Sequence, residues 1–436
     1  MKILYATTYI YDERWREFSR NKTGFGKMVN SIISSMNETE NVMLVSHVIT
    51  KGHDDWILKR TLFDVFSSIR IKDILQGIRW FFRWKQGLKA RVQYFYYCVG
   101  KGYFAKKIKE IEPDLVHIHG IGFATKVFIE VCEELSLPYL VTLHGLIGID
   151  SSVNISSWEK DYEKEFLIHA RENDIPVSVI SSGIKKRIEQ YYLNGRIADN
   201  ISVVLNGTNV PNNKCSDEYI DHEKLFDIVR FNTNYKNALE KDRVVPLIDI
   251  MEYIDFQKFN NKKILVYVGN ITENKNQIQA VRCMNNIPDD CILVLFGREF
   301  DNGEVRKLIL KQNLNERVIL AGFCDDLSEI WKRADINLFL SKNDGFGLPV
   351  IEGYMYGVPA VMFADLDAFE DIAFDAGMIP IPDRQDSEVI SEIIRAVNKI
   401  WDKKLIRNYA LQFSVSHMKE TYIDVYKKCL NMKVNL

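Results

Sequence analysis

Directly after the apolar run Ile336 to Leu340, residues 341–352 read Ser-Lys-Asn-Asp-Gly-Phe-Gly-Leu-Pro-Val-Ile-Glu. Gly345 and Gly347 let the backbone approach a ligand closely, and Pro349 suits the first turn of a helix. A helix starting there would aim its free N–H groups and the positive end of its dipole at an anion such as a diphosphate. Glu352, a turn further in, is spaced to accept both hydroxyls of a ribose. The rival reading of the same residues is a plain strand-to-helix turn with a surface glutamate.

A site of this kind needs strands that end on one edge and helices that begin there. Short Val/Ile/Leu runs alternate with longer amphipathic stretches, the pattern of parallel strands buried on both faces by crossover helices. In the first half the predicted strands are Ile3 to Ala6, Val42 to Ser46, Leu115 to His119, Tyr139 to His144, Val177 to Ile180 and Ile201 to Leu205. In the second they are Ile264 to Val268, Cys291 to Phe296, Val318 to Leu320, Ile336 to Leu340 and Ala360 to Phe363, with helices over Asn274 to Asn286 and Asp326 to Ala334. A chain of 436 residues fits two domains of about 200 residues each. The expected division is 1–206 and 262–412, joined by a polar linker with an insertion over 207–261, with 413–436 completing the first domain.

The net charge of -2 argues against a nucleic-acid partner, which calls for a clearly basic domain. Seven scattered cysteines, with no CxxC spacing, suit a reducing cytoplasmic setting as small core residues. The start of the chain reads as a first strand rather than a signal peptide, and no uncharged apolar stretch is long enough to cross a bilayer. Residues 69–109 interleave basic side chains (Arg70, Arg79, Arg83) with aromatics (Trp80, Phe82, Tyr94) at helical spacing. That pattern suits contact with an anionic membrane surface. It equally suits an ordinary helix with aromatics packed inward and a solvated basic face.

Residues 341–352 resemble the acidic glycine-containing motif of retaining glycosyltransferases of the GT-B fold, most closely glycosyltransferase family 4. The likeness extends over Pro113 to His119, Val141 to Gly145, Leu205 to Gly207, Val268 to Ile271 with Lys275 and Asn276, Phe296 to Arg298, and Val318 to Phe323. Phe413 to Tyr426 is similar to the family's closing helix, which returns to the first domain. Only residues 51–109 and the linker insertion fall outside it.

The resemblance implies an α/β GT-B architecture of two Rossmann-like, doubly wound parallel-sheet domains facing a cleft. It implies a metal-independent retaining hexosyltransferase without a cofactor. Such an enzyme moves a hexose or N-acetylhexosamine from a nucleotide-sugar, UDP-linked, to a glycan or lipid-linked acceptor in bacterial surface polysaccharide synthesis. The expected location is the cytoplasm, peripheral on the inner face of the plasma membrane. A nucleotide-sugar 2-epimerase and a non-catalytic partner protein are the alternatives on the same fold. Carried over by position, Glu352 holds the ribose, Asp344 lies near the transferred sugar, and Gly345, Phe346, Gly347 and Leu348 offer backbone donors. Lys275 matches the diphosphate-binding lysine, and Gly24, in the loop Thr23 to Lys27 before a helix near Met28, faces the donor phosphates. His144 would touch the sugar near its reacting carbon. His117 and His119 share a strand face without other ligands at metal spacing, so no metal site is expected.

Two departures stand out. Asn270 follows Gly269 where the family usually carries arginine, replacing a charged donor with a neutral one about half as strong. Either Lys342 or Arg298 compensates, or activity is reduced or lost. Asp344 stands where glutamate is commoner, shortening the reach by one methylene.

Overall fold

The computed structural model describes residues 1–7, 24–37, 41–49, 57–60, 66–84, 87–149, 157–211, 261–322 and 327–432. They form two compact units, Met1–Gly207 with Val415–Leu436, and Thr208–Ser414. The linker expected over 207–261 lies, from 212 to 260, outside the described residues.

The first unit holds seven strands, β1 (Lys2–Thr7), β2 (Asn41–Ile49), β3 (Ile57–Arg60), β4 (Leu115–His119), β5 (Tyr139–Leu143), β6 (Val177–Val179) and β7 (Ile201–Val203). They pair in the order β3-β2-β1-β4-β5-β6-β7, all parallel. Its helices include α1 (Gly24–Asn37), α2 (Ile71–Arg83), α3 (Leu88–Val99), α4 (Lys101–Ile111) and α5 (Phe123–Glu134). The second unit holds β8 (Lys263–Val268), β9 (Cys291–Phe296), β10 (Val318–Gly322), β11 (Ile336–Phe339), β12 (Ala360–Phe363) and β13 (Met378–Ile381). These are also parallel, in the order β10-β9-β8-β11-β12-β13. Here α6 (Gln277–Cys283) and α7 (Leu348–Met355) flank the loops that matter most. The last helix, α8 (Val415–Met432), packs on α1 in the first unit.

In each sheet the chain builds outward one way and then crosses back to build the other way. Right-handed crossovers then place helices on both faces. Central strands are accordingly covered on both faces: all of β4, β5, β9, β11 and β12 is buried. The reversal falls between β1 and β4 in one sheet and between β8 and β11 in the other. Loops leaving the carboxyl ends of two such strands diverge, and the crevice between them is where open α/β sheets bind ligands.

Several boundaries differ from the sequence reading. The glycine loop expected at Thr23 to Lys27 is instead helical from Gly24, so Gly24, Phe25 and Gly26 form the first turn of α1. The helix expected from Asn274 starts at Gln277, because Asn276 sits at φ 56°, a left-handed geometry that Asn tolerates better than most residues. Along 69–109 the inward aromatic packing is met by Tyr94, Tyr103 and Phe104, whereas Trp80 and Phe82 are exposed.

Candidate functional site

At the reversal of the second sheet, Ile336 pairs with Leu265 and Asn337 with Val266. The loops that follow, 269–276 and 340–347, are laced together. The Asn274 amide donates to the Asn343 carbonyl at 3.0 Å and accepts the Asn343 N–H at 3.2 Å, while the Lys342 N–H reaches the Asn274 carbonyl at 2.7 Å. Beneath them the buried Tyr267 hydroxyl accepts the Leu340 N–H at 3.0 Å and donates to the Lys275 carbonyl. The Asn276 amide donates to the Leu340 carbonyl at 3.1 Å. None of these crossbars is visible as a sequence pattern, although an Asn-Lys-Asn run behind a buried strand suggests a polar turn.

This lacing brings together two of the residues singled out above. Lys275 forms an ion pair with Asp344 through Nζ and Oδ2, both partly buried. The other carboxylate oxygen of Asp344 accepts the N–H of Phe346 at 3.0 Å and of Gly347 at 2.7 Å. Burial alone would raise the Asp344 pKa, but the Lys275 ammonium and those two N–H groups outweigh it and hold the carboxyl below its ordinary range. Two of the backbone donors expected to face a ligand are thus occupied by Asp344. The carboxylate is short enough to fold back onto its own loop, as Asp does in turns and caps. Asp344 therefore orients Lys275 and shapes the start of α7.

Gly347 caps α7 at φ 80°, and Pro349 occupies its first turn. The buried Asn337 amide donates to the Pro349 carbonyl at 2.7 Å, fixing the helix start over β11. Phe346 is buried against Phe413 at 6.4 Å between ring centres, so its side chain anchors the loop. Gly345 and Leu348 are half-buried, as is Glu352 in the second turn of α7.

On the other side of Lys275, Gly269 and Gly297 close β8 and β9 at φ 152° and 149°. Their backbones touch: a Cβ on Gly297 would lie 2.0 Å from the Gly269 carbonyl oxygen. The Lys275 side chain runs along Gly269, its Cδ 3.6 Å from where a Cβ would stand. Asn270, in place of the family's arginine, accepts the Arg298 N–H with its side-chain oxygen at 3.2 Å, tying the two strand ends together. Gln277 caps the same turn, donating to the carbonyls of Gly269 and Asn270 at 3.0 Å each. Lys342, one of the two cations considered as a substitute, is paired with exposed Glu273 at 2.9 Å.

His144 and Gly24 belong to the first unit. His144 follows β5 and meets His119 at 3.1 Å between ring nitrogens, with Phe25 of α1 edge-on to it at 4.7 Å. His117 is enclosed by the Tyr426 hydroxyl of α8 at 2.8 Å and by Thr142 at 2.6 Å, and Tyr426 continues to Tyr5 at 2.8 Å. Burial drives all three rings toward the neutral form, His144 down to about 4 and His117 and His119 well below the ordinary histidine range. Unfolded histidine protonates near 6.5, so below that pH the unfolded state binds more protons and the fold loses stability, for His144 until about pH 4. The neutral His144 ring contributes a loss of about 2 kcal/mol between about pH 7 and about pH 5. Denaturant titrations at the two values should therefore show a smaller loss for His144→Gln than for wild type; equal losses would contradict the assignment.

Residues 252–408 match the family described as Glycosyl transferases group 1. The chain is similar to the GDP-mannose:cellobiosyl-diphosphopolyprenol alpha-mannosyltransferase of Xanthomonas oryzae, with 22% identity over 198 residues, covering 42% of this chain and 52% of that protein. A second relative is the UDP-Gal:alpha-D-GlcNAc-diphosphoundecaprenol alpha-1,3-galactosyltransferase of Escherichia coli, 23% identical over 208 residues, 43% of this chain and 53% of that one. The chain spans about half the length of these curated relatives. Among solved structures, Anabaena HepE in complex with UDP superposes with a TM-score of 0.63 at 15% identity, over 98% of this chain and 100% of that one. The fold is thus the GT-B fold, two parallel-sheet α/β units.

Proposed function

We propose that the chain is a retaining glycosyltransferase that moves a sugar from a UDP-linked donor to a lipid-linked or glycan acceptor in surface polysaccharide synthesis. The observation that carries this reading is the Lys275 ammonium, held by Asp344 at the strand-order reversal of a group 1 glycosyltransferase domain. The names of the two relatives support it, since each describes transfer from a nucleotide-sugar to a polyprenol diphosphate-linked glycan. They also favour transfer over epimerisation.

In this reading Glu352 accepts the ribose hydroxyls and Lys275 faces the diphosphate. As the bond from the sugar's anomeric carbon to the diphosphate oxygen breaks, negative charge grows on the departing group, and Lys275 and the start of α7 stabilise it. The acceptor oxygen bonds to the anomeric carbon from the same face, and its proton passes to the released diphosphate. Asp344 positions Lys275 beforehand, so the cation needs no reorganisation during the step. His144, Gly24 and Asn270 are assigned to donor contacts, and no metal ion enters the scheme.

Losing a hydrogen bond to a charged partner costs about 1.5–3 kcal/mol. Glu352→Ala should therefore weaken donor binding by roughly ten- to a hundredfold. Turnover measured over a range of UDP-sugar concentrations would place that loss mainly in KM; an unchanged KM would remove Glu352 from the site.

A further inference from the structure

We propose that the outward face of α2 docks the chain onto anionic lipid bilayers, with Ile71, Leu75, Ile78 and Phe82 entering the interface and Arg79 and Arg83 meeting lipid phosphates. The four apolar residues recur at i, i+4, i+7 and i+11, which sets them in one stripe along the helix. Such a stripe ordinarily faces a core. Here Ile71, Leu75, Ile78 and Phe82 are 77%, 61%, 41% and 77% exposed, while Asp73 and Gly77 of the same helix are buried.

Specific contacts hold the helix in that orientation. Arg70 binds Asp73 at 2.7 and 2.9 Å and also Glu134 of α5 at 2.6 Å. Gln76 donates to Glu130 of α5 at 3.2 Å, and Glu130 also accepts the Tyr94 hydroxyl at 2.9 Å and pairs with Lys101. Gly77 admits the Phe95 ring of α3, since a Cβ there would stand 2.8 Å from it. Rolling α2 over to bury the stripe would break the Gln76–Glu130 bond and the Arg70–Glu134 pair and lift Gly77 off the Phe95 ring, so these contacts keep the stripe facing outward.

The charge around the stripe selects lipid as the occupant. Residues 66–111 hold eleven Lys and Arg against two Asp and Glu, in a chain of net charge -2. Lys72, Arg79 and Arg83 line one groove with Leu75, Gln76 and Trp80. Lys72 is paired with Glu134, whereas among the described residues neither Arg79 nor Arg83 has a carboxylate partner. An exposed apolar stripe bordered by unpaired arginines is the arrangement of an interfacial helix. Among the described residues no helix is long and apolar enough to cross a membrane, so α2 would lie on the surface. The inference deepens the reading above and rests on it only for purpose, since a lipid-linked acceptor is met at a membrane.

The test is co-sedimentation of the full chain with phosphatidylcholine vesicles, with and without phosphatidylglycerol. Wild type should bind the anionic vesicles and leave the neutral ones largely free. At about fivefold per arginine, Arg79→Gln with Arg83→Gln should lower partition roughly twenty-five-fold. Leu75→Ser with Phe82→Ser should lower it by about tenfold or more. Circular dichroism and donor binding should match wild type in both variants, which separates lost docking from lost folding. Absence of vesicle binding, equal binding to both vesicle types, or undiminished binding by both variants would overturn the docking surface. So would light scattering that shows a dimer abolished by Leu75→Ser with Phe82→Ser. All of these outcomes leave sugar transfer untouched, whereas loss of donor turnover with vesicle binding intact would count against the transferase reading alone.

Discussion

Replacing Lys275 by alanine is expected to lower kcat/KM for sugar transfer by about a hundred- to a thousandfold, the range for removing one preorganised group that stabilises transition-state charge. The loss should fall mainly on kcat, because the charge on the departing diphosphate grows as the bond breaks. Stability should fall as well. Asp344 is 17% exposed and would keep its N–H partners while losing its cation. Breaking a buried pair from one side costs about 3–5 kcal/mol, and residual exposure at this site reduces that to about 1–3 kcal/mol. Adding Asp344→Ala to Lys275→Ala separates the two effects, since it removes the stranded carboxylate. Denaturant unfolding of the double variant should recover part of the lost stability, while steady-state kinetics show no recovery of turnover. A double variant that regains turnover would show that Lys275 acts only by neutralising Asp344.

Gly297→Ala is expected to destabilise the second unit by about 3 kcal/mol or more, combining backbone strain with overpacking. At φ 149° the new Cβ would meet the Gly269 carbonyl oxygen at 2.0 Å, its carbon at 2.5 Å and the Asn270 nitrogen at 2.8 Å. All three are backbone atoms of the neighbouring strand end, and no rotamer change relieves them. Gly195→Ala is the control, because Gly195 also has a positive φ, 79°, but nothing within 4 Å of its Cβ position. It should cost only about 1 kcal/mol. Thermal or denaturant melts of both variants check the contrast, and similar small losses would mean that the strand ends separate easily. The clash also bears on the site, since it pushes on the turn carrying Asn270 along which Lys275 lies.

The strands legible in the sequence are those buried on both faces. β4, β9 and β12 begin and end where the apolar runs do, because crossover helices cover each residue. The two that escape, β3 and β13, each lie at one edge of a sheet. Pro380 inside β13 argues against a strand, yet an edge tolerates a missing N–H. At the candidate site, Lys275 and Asp344 each stand in a motif of the sequence, but their meeting is not legible there. Lys275 and Asp344 are 69 residues apart and meet only because β8 and β11 are neighbours. The pairing of Asn274 with Asn343 and the contact of Gly269 with Gly297 depend on strand order in the same way. On α2 the apolar stripe was present in the sequence, whereas its outward direction follows from the Glu134 and Glu130 contacts, which periodicity does not report.

Calorimetric titration of the chain with UDP-, GDP- and ADP-sugars, repeated on Lys275→Ala, tests the account most directly. The prediction is a saturable heat with a UDP-sugar, weakened by about tenfold or more when Lys275 is removed, as expected for loss of a charged contact to a diphosphate. Absence of heat with every nucleotide-sugar, or equal affinity in wild type and variant, would contradict it.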